Sequence, residues 1–302
     1  MQLLNLIRWK NLLLIAFVQL LVKYALFPAF EVETSLSTVG FIVLLFSTLC
    51  IAAGGYIIND IYDIDTDTVN KPDKVIVGKS ISEKTANNLY LGFTFVGVVL
   101  GFYLSQSIGK STFFGLFVIT AALLYVYSSY LKQIAVVGNI VVSILTSLSI
   151  IIVGIFELLP AITKYNQSLQ STMFEVLTDF AIFAFLLNFI REIVKDIQDV
   201  DGDYKADMQT LPILLGKERT AKIAFGLTLL TITIIIYYLA TYLFMQKIAV
   251  VYFLIAVIGP LVYIAIKLFS AEHDTHFKYI SKMLKLVMLT GMLSMLLYRL
   301  IF

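Results

Sequence analysis

Three aspartates at helical spacing, Asp60, Asp63 and Asp67, come directly after a long apolar stretch of the chain. At 100° per residue, positions i, i+3 and i+7 point within about 60° of one another, so an unbroken helix would carry all three on one face. Like charges this close repel one another unless a cation lies between them. The same spacing recurs 136 positions later, again after an apolar stretch, at Asp196, Asp199 and Asp203. The repetition predicts one site built from two aspartate stripes.

Two ordinary explanations compete with a catalytic one: a solvated helix end and a calcium loop. Asp63, Asp65 and Asp67 stand at the first three ligand positions of a calcium loop of the EF-hand kind. Later positions do not fit, because Thr68 replaces the required glycine and Lys74 the required glutamate. The second segment fails at the same two positions. A solvated helix end gives no reason for two copies of the pattern.

The remaining interpretation is a magnesium-diphosphate site. Mg²⁺ prefers one or two carboxylates together with water and substrate phosphate oxygens. Bound metal neutralises the charge that builds on a diphosphate as its C–O bond breaks. We therefore expect all six stripe aspartates to be catalytic and to bind Mg²⁺. Asp65 and Asp201 lie off the stripes and are expected not to be ligands.

The chain around these acids is too apolar for a soluble protein. Of its 302 residues, 60% are hydrophobic and 14% are charged, whereas soluble domains have about 45–50% apolar and about 25% charged residues. The net charge of +2 is too small to suggest a nucleic-acid partner. The single cysteine, Cys50, excludes a disulfide framework. We expect an integral membrane protein.

Nine stretches approach the length of about 20 mostly apolar residues that a membrane-spanning helix needs. They are Leu12–Phe30, Leu36–Ile58, Leu89–Gln106, Thr112–Leu131, Ile134–Leu158, Phe174–Ile190, Thr220–Leu243, Ile248–Phe269 and Met283–Phe302. This predicts an all-α, polytopic protein with nine transmembrane helices around a central cavity. Residues 1–302 are expected to form a single domain with two similarly built halves, about 1–133 and 134–302.

The distribution of positive charge predicts the orientation, because Lys and Arg concentrate on the cytoplasmic side. Of the 22 Lys and Arg, 17 fall on the side of the amino terminus. The other five fall on or toward the opposite side: Lys23, Lys110, Lys164, Lys247 and Arg299. We expect a cytoplasmic amino terminus, a carboxyl terminus on the opposite side, and an active site that opens to the cytoplasmic face. The cell's inner membrane is the expected location.

The two stripes lie in long cytoplasmic loops, Asn59–Asn88 and Arg191–Arg219. Each is expected to continue its helix until a proline, Pro72 or Pro212, and a glycine stop it and turn the chain. Short helices that cap the cytoplasmic mouth are therefore predicted.

Basic residues near both stripes suit the binding of a diphosphate, although any one of them could instead serve only to set topology. They are Lys71, Lys74 and Lys79 after the first stripe, Arg191 and Lys195 before the second, and Lys132 between the fourth and fifth spans.

The paired pattern Asn59-Asp60-x-x-Asp63-x-x-x-Asp67 and Asp196-x-x-Asp199-x-x-x-Asp203, in a chain of nine spans, resembles the UbiA superfamily of intramembrane prenyltransferases. The resemblance covers most of the chain. It implies that a polyprenyl diphosphate binds with Mg²⁺ between the two motifs, in a cavity that opens sideways to lipid. With the positions that it adds, the candidate substrate-binding residues are Arg8, Asn11, Asn59, Lys71, Lys132, Asn139, Arg191 and Lys195. The family's usual Arg-Pro after the first motif is Lys71-Pro72 here, and lysine keeps the charge without the bidentate fork.

The segment from Arg191 to Asp203, followed by Thr210-Leu211-Pro212, resembles the branch of this superfamily that adds a second geranylgeranyl chain to geranylgeranylglyceryl phosphate. The resemblance implies prenyl transfer to a hydroxyl of a glycerol-phosphate-type lipid. The phosphate of that acceptor would need a second cationic subsite, for which Arg191, Lys195 and Lys132 are candidates. Prenylation of an aromatic acceptor in quinone biosynthesis, of the 4-hydroxybenzoate, homogentisate or naphthoate type, is the alternative.

Rivals from other classes fit the sequence less well. A membrane transporter would explain ionisable residues in spans, but these acids gather at helix ends on one face. A CDP-alcohol phosphotransferase would need an arginine shortly after Asp201-Gly202, and none stands there. His273 and His276 are interpreted as exposed loop histidines. Membrane lipids are the expected surroundings, and no obligate protein partner is predicted.

Overall fold

The computed structural model describes residues 1–301, and this part of the chain folds into helices. The α-helices are α1 (Gln2–Leu6), α2 (Trp9–Leu21), α3 (Phe27–Ala29), α4 (Thr38–Tyr62), α5 (Ile64–Asn70), α6 (Glu83–Ser107), α7 (Phe114–Ser129), α8 (Val137–Glu157), α9 (Gln167–Lys205), α10 (Leu211–Leu215), α11 (Lys217–Tyr238), α12 (Lys247–Phe253), α13 (Gly259–Phe269), α14 (Asp274–Leu293) and α15 (Met295–Ile301). The strand-like pairings among the described residues are two isolated bridges.

Nine helical segments of the described chain are long and apolar enough to cross a membrane. Six are single helices, extended at most by a short 3-10 or π turn: α4, α6, α7, α8, α9 and α11. The other three join α2 to α3, α12 to α13 and α14 to α15. The predicted all-α, nine-helix architecture is therefore confirmed, and the protein is an integral, multi-pass membrane protein.

The predicted boundaries fit most poorly at the sixth and ninth spans. The sixth span was expected over Phe174–Ile190, but α9 runs for 39 residues, from Gln167 to Lys205. The ninth segment begins at Asp274 rather than Met283, and the last residue of the predicted span, Phe302, lies outside the described residues.

The chain divides into two compact units that interleave along the sequence. Unit 1 comprises Met1–Leu20, Val32–Lys132 and Leu148–Leu177, and unit 2 comprises Leu21–Glu31, Gln133–Ser147 and the chain from Thr178 onward. Each unit contains one of the two aspartate motifs. The expectation of two similarly built halves, about 1–133 and 134–302, remains a prediction.

Unit 1 is built around the close packing of α4 against α6 and α7. The hydroxyl of Ser47 on α4 donates a hydrogen bond of 2.6 Å to the carbonyl oxygen of Gly97 on α6. A Cβ at Gly97 would lie 2.6 Å from Ile51 Cγ1 and 3.0 Å from Ser47 O, so only glycine fits there. Small residues allow such close approach between membrane helices. Ser37 caps the start of α4 by accepting a hydrogen bond from the Gly40 N–H. These contacts fix the helix whose end carries the first motif.

Unit 2 packs α13 against α11 and α14, and α9 contributes an apolar stripe to the same hydrophobic core. Ile190, Ile193, Val194 and Ile197 are each at most 1% exposed. Their spacing of i, i+3, i+4 and i+7 is that of one helix face. At 100° per residue, Asp196, Asp199 and Asp203 lie on the opposite face, roughly 160–260° around α9. Burial of the apolar stripe therefore sets the direction in which the second motif points.

The prediction that proline would stop each helix fits the end of α5 in the first segment and is wrong in the second. The first helix already breaks at Asp63, which has φ −98° and ψ 7°, and α5 then ends before Lys71 and Pro72. In the second segment α9 ends at Lys205, and Pro212 stands in the first turn of α10 instead of stopping a helix. The reason is that proline has no N–H to satisfy and suits a first helical turn. The short helix α5 contains Asp67, the last aspartate of the first motif, and the short helix α10 follows the second motif.

Candidate active site

The first motif sits on a junction between helices and not on one continuous helix. Asp63 links α4 to α5, so the predicted single face across Asp60, Asp63 and Asp67 is interrupted at its middle residue. Asn59 Nδ2 donates to Asp63 Oδ2, and the Thr66 hydroxyl donates to the Asp63 carbonyl at 3.0 Å and lies 3.3 Å from Oδ1. The Asp63 backbone and carboxylate thus hold the junction.

Each aspartate of the first motif lies beside a basic side chain. For Asp60 and Asp63 this side chain is distant in the sequence, and for Asp67 it stands four residues later. Arg8 Nη2 donates to Asp60 Oδ1 at 2.7 Å, and Lys132 Nζ donates to Asp63 Oδ1 at 2.5 Å. Lys71 Nζ lies farther away, 4.0 Å from Asp67 Oδ1. The side chain of Lys132 is only 9% exposed. The structure therefore brings predicted phosphate-binding cations into direct contact with predicted metal ligands.

Arg8 is held in an unusual backbone conformation. Its φ of 49° lies in the left-handed region, which costs about 1–3 kcal/mol for a residue other than glycine. The Arg8 carbonyl accepts hydrogen bonds from the N–H groups of Asn11, at 2.7 Å, and Leu12. The guanidinium carbon lies 5.2 Å from the centre of the Tyr56 ring. Burial opposes the charged form of Arg8, but Asp60 and Tyr56 outweigh it and raise its pKa.

The amino-terminal helix α1 anchors this turn. Leu6 is fully buried in a small core with Ile57, Val77 and Ala86, all within unit 1. Since Ile57 belongs to the last turns of α4, packing of α1 places Arg8 next to Asp60. Asn11, in the first turn of α2, is positioned by the same bend.

Asp67 carries the least compensated charge of the first motif. Burial and the neighbouring Asp63 raise the pKa of Asp67, while Lys71 acts in the opposite direction. A divalent cation at this position would stabilise the charged form. Asp65 is exposed, and its assignment as a non-ligand stays a prediction.

The second motif lies within the uninterrupted helix α9, in unit 2. Asn139 Nδ2 donates to Asp196 Oδ2 at 2.8 Å, so this predicted residue does meet its motif. Asn139 is 6% exposed, and its carbonyl accepts from the Ser143 hydroxyl. Asn188 Nδ2 donates to the same hydroxyl at 3.3 Å. A chain of polar contacts between α8 and α9 thus orients Asp196. Asp203 is 9% exposed, Asp199 is half-buried and Asp201 is exposed.

Glu192 contacts two predicted site residues and is a candidate that the sequence prediction missed. Its Oε1 accepts from Arg191 Nη1 at 2.9 Å, and its Oε2 accepts from Lys195 Nζ at 2.6 Å. Glu192 stands four residues before Asp196, on the same face of α9. That spacing is the signal that could have revealed it. Tyr56, which stands four residues before Asp60 and contacts Arg8, was missed in the same way.

The donor chemistry of both motifs fits a hard cation such as Mg²⁺, which takes oxygen ligands. Among residues 1–301, no group of three His, Cys, Asp or Glu side chains is arranged to hold a metal ion by itself. Mg²⁺ usually combines one or two carboxylates with water and substrate phosphate oxygens. His273 and His276 are exposed, with ring centres 5.3 Å apart. His273 precedes α14, but His276 lies in the first turn of that helix and not in a loop.

Comparison with known proteins gives a family and several relatives. The model of the UbiA prenyltransferase family matches residues 14–289. The digeranylgeranylglyceryl phosphate synthase of Methanosphaera stadtmanae is 30% identical over 258 residues, which are 83% of this chain and 86% of that one. The synthase of the same name from Sulfolobus acidocaldarius is 35% identical over 187 residues, so that the alignment spans 60% of each chain.

Two solved structures have a similar fold. One comes from work on digeranylgeranylglyceryl phosphate synthase in membranes: it has a TM-score of 0.65 and 22% identity, over 100% of this chain and 98% of that one. The other is a UbiA homologue from Archaeoglobus fulgidus bound to DMAPP and Mg²⁺, with a TM-score of 0.56 and 18% identity, over 98% of this chain and 99% of that one. At these identities the likeness shows the fold.

Proposed function

The chain belongs to the UbiA prenyltransferase family, and we propose that it transfers a prenyl group, geranylgeranyl in the first instance, from its diphosphate to a hydroxyl of a glycerol-phosphate-type lipid. Family membership confirms the predicted prenyltransferase and decides against a transporter. The donor length, the acceptor and the roles of individual residues belong to the proposal.

In unit 1, acidic and basic side chains lie side by side. This arrangement supports the proposal that the donor substrate, a prenyl diphosphate, binds there. Arg8 Nη2 lies 2.7 Å from Asp60 Oδ1, and Lys132 Nζ lies 2.5 Å from Asp63 Oδ1. A magnesium diphosphate presents both charges at once, cations to the carboxylates and anionic oxygens to the basic side chains. The homologue bound to DMAPP and Mg²⁺ supports this class of ligand. We assign Mg²⁺ binding to the six stripe aspartates and diphosphate binding to Arg8, Lys71 and Lys132, with Asn59 and Asn139 orienting the carboxylates.

The reaction breaks the C1–O bond of the prenyl diphosphate and forms a bond between C1 and the acceptor oxygen. Bound Mg²⁺ would neutralise the charge on the departing diphosphate. Lys132, whose side chain is 9% exposed, would hold diphosphate oxygens where charge interactions are strong, and Arg8, at 36% exposure, would add a second cation. The proton of the acceptor hydroxyl passes to the released diphosphate.

The acceptor is proposed from the relatives. Two of them, at 30% and 35% identity, are named digeranylgeranylglyceryl phosphate synthase. The sequence Arg191–Asp203 and Thr210-Leu211-Pro212 points to the same branch. We also propose a cytoplasmic amino terminus, an active site that opens to the cytoplasmic face, and a location in the inner membrane of the cell.

The test is a transfer assay with purified protein, Mg²⁺ and labelled prenyl diphosphates of several lengths. Geranylgeranylglyceryl phosphate and 4-hydroxybenzoate are offered as acceptors in parallel. We expect transfer to the glycerol phosphate lipid and none without Mg²⁺. Transfer to 4-hydroxybenzoate alone would overturn the proposed acceptor, but the proposed binding of a prenyl diphosphate with Mg²⁺ would stand.

A further inference from the structure

The two motifs differ in how their cations are held. In unit 1, Arg8 and Lys132 bond directly to Asp60 and Asp63. In unit 2, Arg191 and Lys195 bond to Glu192, which is not part of the motif. The cations of unit 1 therefore bind carboxylates that are proposed to bind metal. Those of unit 2 bind Glu192, a carboxylate outside the motif.

Glu192 redirects these two cations along α9. At 100° per residue, Arg191 and Lys195 start about 100° and about 60° around the helix from Glu192. Glu192 itself shares the face of Asp196, Asp199 and Asp203. Its two bonds, of 2.9 and 2.6 Å, hold both cationic groups beside Glu192, on the face of α9 that carries the motif.

Burial makes Glu192 the inner member of this cluster. Its side chain is 9% exposed, against 23% for Arg191 and 33% for Lys195. An ammonium has three N–H donors and a guanidinium has five. Each uses one on Glu192, and Arg191 Nε has no hydrogen-bond partner among the described residues. The cluster thus keeps donors for an anion, with a net charge of +1 from two cations and one carboxylate.

We propose that Arg191 and Lys195 bind the phosphate monoester of the acceptor lipid, with Glu192 as the residue that positions them. This inference rests on the proposed function. A diphosphate that carries Mg²⁺ needs carboxylates beside its cations, whereas a phosphate monoester without metal needs cations and N–H donors. The cluster of unit 2 meets the second requirement, and the pairs of unit 1 meet the first. Lys132 accordingly belongs to the diphosphate and not to the acceptor.

The test compares two acceptors that differ only in the phosphate: geranylgeranylglyceryl phosphate and geranylgeranylglycerol. The variants are Arg191→Met, Lys195→Met, Glu192→Gln and Glu192→Asp. Steady-state transfer gives KM and kcat for each acceptor and KM for the prenyl diphosphate. Glu218→Gln is the matched control, because Glu218 and Lys222 form an exposed pair of 2.6 Å on α11.

For Arg191→Met and Lys195→Met we expect KM for the phosphorylated acceptor to rise by about 10–100-fold, the range for loss of a charge-assisted contact. KM for the prenyl diphosphate and turnover of the unphosphorylated acceptor stay at the wild-type values. Glu192→Gln shifts the same constant in the same direction, and Glu192→Asp restores part of it. A purely structural role of Glu192 would move the constants for both acceptors together.

Different outcomes separate the inference from the function on which it rests. If the wild type uses both glycerol lipids but Arg191→Met and Lys195→Met raise KM for the prenyl diphosphate instead, the cluster binds the donor and the inference is wrong. Equal losses with the two acceptors contradict it as well. If the wild type prenylates neither glycerol lipid but does prenylate 4-hydroxybenzoate, the proposed function itself fails, and the inference with it. Lys195→Met, at a partly exposed side chain, keeps the test valid if Glu192→Gln does not fold.

Discussion

At the scale of single residues, the first motif holds basic side chains on the carboxylates that are proposed to bind metal. Lys132 lies 2.5 Å from Asp63 although 69 positions separate them in the sequence. A lysine in this place competes with a metal ion for the carboxylate and attracts a diphosphate. Lys132 should therefore weaken the binding of Mg²⁺ and strengthen the binding of diphosphate.

Replacing Lys132 by methionine separates these two effects. Without diphosphate, we expect the affinity of Mg²⁺, or of Mn²⁺ as a spectroscopic probe, to rise by about tenfold, equivalent to about 1.4 kcal/mol. In the presence of Mg²⁺, the affinity for inorganic diphosphate should fall. Titration calorimetry in detergent measures both. Lys222→Met, at an exposed pair on α11, is the control, and a loss of both affinities in Lys132→Met would contradict the exchange.

The residue-level contacts could be predicted from the sequence only where a pattern repeats. Six aspartates stood out because they form three pairs with the same separation of 136 positions. Basic residues beside them stood out as well. Glu192 did not, because it has no acidic counterpart in the first segment, where Tyr56 stands four residues before Asp60. The break at Asp63 was also missed, because aspartate at i+3 fits an unbroken helix as well as a junction.

At the scale of helices, the position of the first motif depends on how closely α6 approaches α4. Gly97 leaves no room for a Cβ, and its carbonyl accepts from Ser47. A Cβ at Gly92, on the same helix, would meet no neighbouring atom of the described residues within 4 Å. The two glycines form a natural pair for comparison.

We expect Gly97→Ala to destabilise the protein by about 1–3 kcal/mol, the usual cost of overpacking. The added methyl would meet the backbone oxygen of Ser47, which cannot move without shifting α4. Gly92→Ala should be neutral or slightly stabilising, because alanine favours a helix over glycine. Thermal unfolding in detergent compares the two. Equal unfolding temperatures of the Gly97→Ala and Gly92→Ala variants would show that α4 and α6 are less tightly packed than the contacts indicate.

Hydropathy predicted the number of membrane-spanning segments but not the ends of the sixth and the ninth. α9 continues past the apolar stretch to Lys205, because Ile193, Val194 and Ile197 keep one face of the polar segment buried. Window averages over the charged residues hide that stripe. The strained turn at Arg8 depends on packing of α1 and has no local signature.

At the scale of the whole molecule, the proposed orientation in the membrane rests on the distribution of positive charge. With Cys50 replaced by serine, single cysteines at Lys79 and Lys164, which are predicted to lie on opposite sides, test it. In sealed inside-out vesicles, we expect a membrane-impermeant thiol reagent to label Lys79→Cys and not Lys164→Cys, because the positive-inside rule places residue 79 in the cytoplasm. The reverse labelling pattern would invert the topology.

The central claim is that both aspartate motifs serve one magnesium-dependent prenyl transfer. Four single variants test it directly: Asp63→Ala and Asp199→Ala within the stripes, and Asp65→Ala and Asp201→Ala at exposed positions off them. Transfer is measured at saturating prenyl diphosphate over a range of Mg²⁺, with thermal unfolding as a check of folding. We expect the stripe variants to lose at least about 100-fold in rate, and the off-stripe variants to stay within about twofold of the wild type. Full activity in a folded Asp63→Ala or Asp199→Ala variant would contradict the claim.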